Sequence, residues 1–315
     1  MQKPILAFLI FLILGCQSKP SNHAADTTPA AVNAPQLAQK TPPQPSADSL
    51  PLDTPPETIT NPTPKPIPST PPKSTPAPSH KKTVSKRQNN YPKMTSKKYI
   101  TGRFNQRKHP DFVRLDDRYC AYPDMYLRKE VYAAFLKMRN AAQKDHIRLT
   151  IRSATRNFFT QKRIWENKWT GKRNLAGGEN LAKTTKSPLL RAKKILRYSS
   201  MPGSSRHHWG TDIDLNDLAN SYFESGKGYK MYQWMLKNAH QYGFYQVYTA
   251  KGPKRPVGYN EERWHWTYLP TSKIILRQAK KILKDEDFTG FLGSQTAPQI
   301  HIVQNYVLGI NPECL

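Results

Sequence analysis

The segment Ser205-Arg206-His207-His208-Trp209-Gly210-Thr211-Asp212-Ile213-Asp214 decides how this chain is read. His207 and Asp214 stand seven residues apart. On a helix that spacing separates them by about 10 Å and on a straight strand by more than about 20 Å, so neither geometry lets them share an ion. A turn between them does, and Gly210 supplies the backbone freedom for one. Beyond the turn, alternation along a short strand from Thr211 to Leu215 sends Asp212 and Asp214 to one face and Ile213 and Leu215 into the core. A second segment, Glu261-Glu262-Arg263-Trp264-His265-Trp266, places a carboxylate three residues before a histidine among bulky aromatics. Two neutral imidazoles and a carboxylate leave a fourth tetrahedral position on zinc for water, whose pKa falls toward about 7. A neighbouring carboxylate that does not bind the metal can take the water's proton and pass it to a leaving amine. The two segments together predict a metal-dependent hydrolase.

Elements around these segments alternate. Helical spacing of Val131, Ala134, Phe135 and Met138 predicts a helix from Tyr126 to Gln143, and alternating Ile147, Leu149 and Ile151 predict a strand from His146 to Arg152. Phe158 to Trp169 and Ser187 to Tyr198 read as helices, the second with Pro188 at a favoured starting position. Tyr229 to Tyr242 reads as a helix with Met231, Met235, Leu236 and Ala239 inward and Gly243 as its stop. Gly243 to Tyr248 and Trp264 to Tyr268 are strand candidates, and Lys273 to Leu283 is a helix. Short, unevenly spaced strands among helices predict an α+β domain rather than a doubly wound sheet. It extends over residues 99–315.

What precedes it is different in kind. Of the 28 prolines in 315 residues, 18 lie between Pro20 and Pro92, in a stretch with one tyrosine and no Phe or Trp. Such a segment cannot bury enough surface to offset an ordering cost of roughly 1–2 kcal/mol per residue, so residues 16–98 are expected to form a disordered, partly extended tether. Residues 1–15 carry Lys3 and an apolar run from Ile5 to Leu14, long enough for a secretory leader and too short to span a bilayer. The Ile13-Leu14-Gly15-Cys16 that ends it resembles the lipobox of bacterial lipoproteins. That resemblance implies a lipid on Cys16 and an envelope location, and Gln17-Ser18 after it is similar to the pattern sorted to an outer membrane, facing the periplasm. The chain holds 49 Lys and Arg against 22 Asp and Glu, a formal charge of +27, and residues 99–315 alone hold 37 against 18, or +19. A field of that sign gathers polyanions. An exported protein meets the carboxylates and phosphates of a cell wall rather than nucleic acid.

Ser205-x-His207-x-x-Gly210-x-x-x-Asp214, followed some fifty residues later by Glu262-x-Trp264-His265, resembles the VanY-like zinc D-alanyl-D-alanine carboxypeptidases. Upstream, Ser153-Ala154-Thr155-Arg156 with Gln161 is similar to the family's Ser-Gly-Tyr-Arg segment, with Ala154-Thr155 departing from it, and the likeness spans about Leu127 to Tyr268. It implies a hedgehog/DD-peptidase-like domain with a small antiparallel sheet, zinc on His207, Asp214 and His265, Glu262 as general base and acid, and Arg156 steadying the developing oxyanion. The substrate implied is the peptidoglycan stem peptide, cut at a terminal D-Ala. From the residues alone His208 competes with His207, Asp212 with Asp214, and Glu261 with Glu262. Only the family register separates them, Asp212 being left to orient an imidazole. Trp264 and Trp266 are expected to pack and exclude water. A serine nucleophile at Ser205 is rejected, because a histidine that binds metal cannot also serve as its base. Two other readings remain open: a DD- or LD-endopeptidase that cuts crosslinks, and a non-enzymatic wall-binding lipoprotein. Cys120 and Cys314 lie near opposite ends of the domain, and chain ends are often neighbours, so a disulfide between them is expected in an oxidising compartment.

Overall fold

The structure, a computed structural model, describes residues 91–315. The expected leader, the expected lipid site at Cys16 and the expected tether up to residue 90 lie outside the described residues. No helix among the described residues is long and apolar enough to cross a membrane.

A short helix α1 (Lys97–Ile100) leads to a two-stranded antiparallel ribbon of β1 (Phe112–Arg114) and β2 (Tyr126–Arg128). The main body follows as α2 (Lys129–Lys144), β3 (Ile151–Ser153), α3 (Phe158–Trp169), α4 (Leu181–Thr184), α5 (Pro188–Ile195), β4 (Asp212–Leu215), α6 (Gly226–Asn238), β5 (Phe244–Gln246), β6 (His265–Tyr268), α7 (Leu269–Ile282) and α8 (Ala297–Ile300). Strands β3, β4, β6 and β5 form one sheet in that order, antiparallel throughout, with Asp212 opposite Thr267, Ile213 opposite Trp266 and Asp214 opposite His265. The architecture is α+β, with small antiparallel sheets flanked by helices.

That register gives the sheet two unlike faces, because successive side chains alternate. Ile213, Leu215 and Trp266 join Val131, Phe135, Met138 and Ala142 of α2 and Met231, Trp234 and Met235 of α6 in one apolar cluster. Asp212, Asp214, His265 and Thr267 form a polar row on the other face, all buried. Beyond that row a second cluster is built from Phe158, Trp165, Trp169, Ile195, Ile275 and Leu276 together with Trp209 and Tyr248. The sheet core therefore ends in a layer of charge that must be satisfied internally.

Several boundaries depart from those expected, each for a local reason. Tyr126 to Arg128 pair with β1 before α2 begins. Ile147 to Thr150 lack a ladder partner on one side, and the side chain of Asn216 accepts from Thr150 N and donates to Arg148 O instead (2.8 Å each), so β3 starts only at Ile151. Leu236 is 48% exposed, not inward, and Trp234 takes its place in the core. The last turn before Gly243 tightens to a 3-10 helix, and Gly243 ends it at φ +81°. Helix α7 begins at Leu269, four residues before Lys273, with Pro270 in its first turn where no amide is needed.

The disulfide expectation is overturned: both Cys120 and Cys314 are free thiols. Cys120 bridges to Ile151 at the β3 edge, while Cys314 packs against Gln246 of β5 with its Sγ 3.7 Å from the carbonyl oxygen. They sit at opposite edges of a four-stranded sheet, three inter-strand steps of about 4.8 Å apart, well past the separation a disulfide can bridge. The start of the domain does share a core with Cys314, since Tyr99 and Ile100 belong to the same buried cluster, but Cys120 lies far enough along the chain to reach the other edge of the sheet.

Candidate metal centre

The turn expected between His207 and Asp214 is a 3-10 turn, Arg206–Trp209, closed by Gly210 at φ +73°. A Cβ on Gly210 would meet the Phe112 ring at 2.4 Å, so glycine is required for space as well as for conformation. The turn folds His207 back over β4. One ligand-capable atom from each of His207, Asp214 and His265 lies within 4.8 Å of the others. His207 Nε2 is 3.2 Å from Asp214 Oδ2, and His265 Nδ1 is 3.3 Å from Asp214 Oδ1 and 3.3 Å from Glu262 Oε2.

Hydrogen bonds separate the competing residues that the sequence left open. His207 donates from Nδ1 to the carbonyl of Ala154 (2.8 Å), which fixes the tautomer and turns Nε2 inward. His208 spends both nitrogens on backbone, accepting from Gly203 N at Nε2 (3.0 Å) and donating from Nδ1 to Arg156 O (2.6 Å), and burial pushes its pKa down to about 3. It has no lone pair left for an ion. Asp212 is equally committed: it accepts from Arg206 Nε and His265 Nε2 at 2.9 Å each, from Thr211 Oγ1 at 2.5 Å and from Thr267 Oγ1 at 3.0 Å. It holds His265 from behind so that Nδ1 faces Asp214. Glu261 pairs with Arg263 instead of entering the site. Ser205 Oγ is buried without a hydrogen-bond partner, so no serine–histidine dyad exists here.

Arg156 stands at the open side of the cluster. Its guanidinium donates to Gln161 Oε1 (3.1 Å) and to Ser153 Oγ and lies 3.6 Å from Asp214 Oδ2. Trp264 and Trp266 are buried in the apolar cluster on the other side of the sheet, where they pack. Tyr248, from the second cluster, sets its ring 4.8 Å from that of His265.

The site's ionisation follows from this crowding. Burial alone would depress His265, but the hydrogen bond to Asp212 and the nearby carboxylates of Asp214 and Glu262 carry its pKa well above that of an ordinary histidine. Asp214 would be raised by burial, yet His207 and His265 hold it well below the usual carboxylate range. His207 is lowered by burial and then by Arg156, more than Asp214 restores. Glu262 is raised, chiefly by burial, with Asp214 adding to it against His265 and Arg156. A carboxyl with a raised pKa is suited to accepting and returning a proton near neutral pH.

The donor set fits a zinc ion. Each imidazole has its outward nitrogen anchored to an acceptor, the usual support for a metal-binding histidine. Asp214 Oδ1 is buried and, although 3.3 Å from His265 Nδ1, makes no hydrogen bond, which leaves a lone pair free at the centre of the cluster. Residues that sequence reasoning missed are Arg206 and Thr267, which neutralise and bind Asp212, and the Ala154 carbonyl. Thr267 could have been found, since it alternates with His265 on β6. A fully buried Arg206 has no signature in sequence.

Residues 124–271 match the profile of the VanY family, described as D-alanyl-D-alanine carboxypeptidase. This region is a VanY-like domain. Arg156, His207, Asp214, Glu262 and His265 all fall inside the VanY-like match. The chain is 29% identical over 167 residues to the Bacillus subtilis (strain 168) protein named "Putative carboxypeptidase YodJ", an alignment that covers 52% of each protein. It thus spans about half the length of that curated relative. Among solved structures, one of VanYB in complex with D-alanine-D-alanine is 20% identical and covers 53% of this chain and 82% of that one, with a TM-score of 0.39. A structure of the LdcB LD-carboxypeptidase is 23% identical and covers 55% and 74%, also at a TM-score of 0.39.

Proposed function

We propose that this chain is a zinc peptidase acting on the stem peptides of peptidoglycan, and that it removes the terminal D-Ala from D-Ala-D-Ala. The observation that carries the proposal is the convergence of His207, Asp214 and His265 within 4.8 Å, with Glu262 against the same histidine nitrogen. Membership of residues 124–271 in a carboxypeptidase family supports the substrate class.

In this reading His207 Nε2, His265 Nδ1 and Asp214 hold zinc, which supplies Lewis acidity and lowers the pKa of the attacking water when bound. Glu262 takes the proton released as water attacks the peptide carbonyl and delivers it to the leaving amine of the terminal residue. Arg156, braced by Gln161 and Ser153, presents its guanidinium to the carbonyl oxygen as charge develops there. Asp212 and the Ala154 carbonyl keep both imidazoles in their binding tautomers. The envelope location and the lipid on Cys16 belong to the proposal on sequence grounds alone. Incorporation of labelled fatty acid that disappears in Cys16→Ser would establish them.

The experiment is metal analysis of the purified protein combined with mass spectrometry of a digest of defined muropeptides. Glu262→Ala should retain the metal and lose about 10²–10⁴-fold in turnover, whereas His265→Ala should lose both. Full turnover in Glu262→Ala refutes the assignment. Products cut at crosslinks rather than at the chain end would replace the carboxypeptidase with an endopeptidase.

A further inference from the structure

The geometry points to a second cationic element beside this site: we propose that Lys168, with Arg173 beside it, receives a carboxylate of the peptide substrate. The inference deepens the peptidase reading above and rests on it.

Helix α3 carries Gln161 and Lys168 seven residues apart, which is two turns and about 10 Å along one face. Gln161 accepts from Arg156 through Oε1 and donates from Nε2 to Ser200 O (2.9 Å). Because side chains on a helix lean toward its N-terminus, Lys168 reaches back along the face that holds Gln161. Its Nζ donates to Ser199 Oγ at 2.6 Å, next to the serine that Gln161 binds. Arg156, Gln161, Ser199, Ser200 and Lys168 thus form one continuous hydrogen-bonded wall that begins at the metal ligands and runs outward along α3.

What singles out Lys168 on that wall is its lack of a counter-ion. Elsewhere on the same helix Lys162 has Glu166 at 3.8 Å, and on α5 Lys194 is paired with Glu179. Among the described residues, neither Lys168 nor Arg173 has a carboxylate within the 4.0 Å of a salt bridge. A half-buried ammonium with three donors uses one of them, on a neutral hydroxyl. Burial, then Arg173, then Arg156 bring its pKa down to about 8, and Glu262 is the acid that partly restores it. Two half-buried cations that feel each other and have no carboxylate partner are a poor arrangement unless an anion is to be admitted. The segment that carries Lys168 is also strongly basic: residues 162–197 hold 11 Lys and Arg against two Asp and Glu.

The anion with the right chemistry is a carboxylate. A peptide cut at its last residue carries a free terminal carboxylate one residue beyond the scissile carbonyl, within about 4 Å of chain. A stem peptide also carries side carboxylates. Both offer the same oxygens to the same donors.

The test compares Lys168→Met with the wild-type enzyme on three forms of one peptide: free acid, C-terminal amide, and side-carboxylate amide. A charge-assisted contact of this type corresponds to a loss of about 10–100-fold. Amidation of the contacted carboxylate should therefore cost wild type about 10–100-fold in kcat/KM, mostly as a higher KM, and cost Lys168→Met nothing. Lys168→Arg should keep most of the preference. The amide that carries the penalty identifies which carboxylate is held. Equal penalties in wild type and Lys168→Met overturn the proposal, and because each variant is its own reference, a loss of folded protein cannot mimic that result. Binding of the same peptides to zinc-loaded Glu262→Gln, measured by calorimetry, separates the two readings. A Lys168-dependent preference there without any hydrolysis by wild type would sink the peptidase assignment and leave the carboxylate site standing.

Discussion

Replacing Asp212 with Asn changes almost nothing at this site except charge. Oδ1 stays as an acceptor for Arg206 Nε and His265 Nε2, both at 2.9 Å. The new amide would face Thr211 and Thr267, whose hydroxyls can rotate from donor to acceptor. What disappears is the counter-charge of Arg206, whose side chain is 1% exposed and is otherwise held by the Thr267 hydroxyl at 2.8 Å and the Trp209 ring. Breaking a buried pair by neutralising one member costs about 3–5 kcal/mol, since the surviving charge stays buried and uncompensated. His265 also loses the carboxylate that makes its inward nitrogen a better ligand, a change worth about 10–100-fold in metal affinity. Urea unfolding of chelator-treated Asp212→Asn should therefore show a loss of about 3–5 kcal/mol, and a competition titration with a zinc chelator should show the weaker binding. Adding Arg206→Met should recover much of the stability and none of the metal affinity, because only the first effect is an unpaired charge. A metal-free Asp212→Asn protein within about 0.5 kcal/mol of wild type, with unchanged zinc affinity, would refute the view that Asp212 is the support of the site.

Three further outcomes follow from the geometry. In the metal-free protein the raised pKa of His265 contributes stability that is complete below its ordinary 6.5 and is lost as pH climbs through the folded value, while the depressed Asp214 contributes stability present above its ordinary 3.8 and lost as pH falls. Thermal melts with chelator should accordingly decline above neutrality and those with zinc should not; a chelated protein that gains stability from pH 6.5 to 9 would contradict this. Gly210→Ala forces an L-residue to φ +73° and a Cβ to 2.4 Å from Phe112, so unfolding should show a loss of about 2–5 kcal/mol together with weakened zinc binding. Cys120 and Cys314 should both take up iodoacetamide in denatured, unreduced protein, and reductant should leave the melting temperature unchanged; a single mass shift of zero at both would reinstate the disulfide.

Much of the site was legible because its residues obey short periods. The Gly210 turn and the alternation of Asp212, Ile213, Asp214 and Leu215 are local, and both stand in the structure as the sequence reads. Helix α3 matches its expected bounds of Phe158 and Trp169, since Asn157 caps it, accepting from Thr160 N (2.9 Å). What escaped reading depends on partners far away in sequence. Leu236 was placed inward by helical period, but α6 turns its Trp234 and Met235 to the sheet, and period alone does not say which flank of an apolar stripe is covered. The choice between His207 and His208 needed Gly203 and the carbonyls of Ala154 and Arg156, and that between Asp212 and Asp214 needed Arg206 and Thr267. The disulfide failed on topology: nearness of chain ends does not extend to a cysteine some twenty residues inside the domain, and the order β3-β4-β6-β5 puts Cys120 and Cys314 at opposite edges.

Charge balance across the buried row explains why a proton-binding and a metal-binding state of the same residues are both tolerable. Asp212, Asp214 and Glu262 supply three negative charges, and Arg206 and Arg156 supply two positive ones. Without an ion, a proton on His265 brings the sum to zero, which is the physical content of its raised pKa. A divalent ion that displaces that proton leaves the row with one positive charge in excess. Such a surplus is costly in a dry site at rest and is eased when negative charge is placed beside it. In the proposed reaction an oxyanion at the substrate carbonyl would form as a proton passes to Glu262, so the total charge would not change, and what would improve is its placement, negative charge moving next to Arg156. In that reaction a proton on Glu262 would be matched by the oxyanion, so the surplus would stay at one until the proton is handed to the departing amine and Glu262 is ionised again.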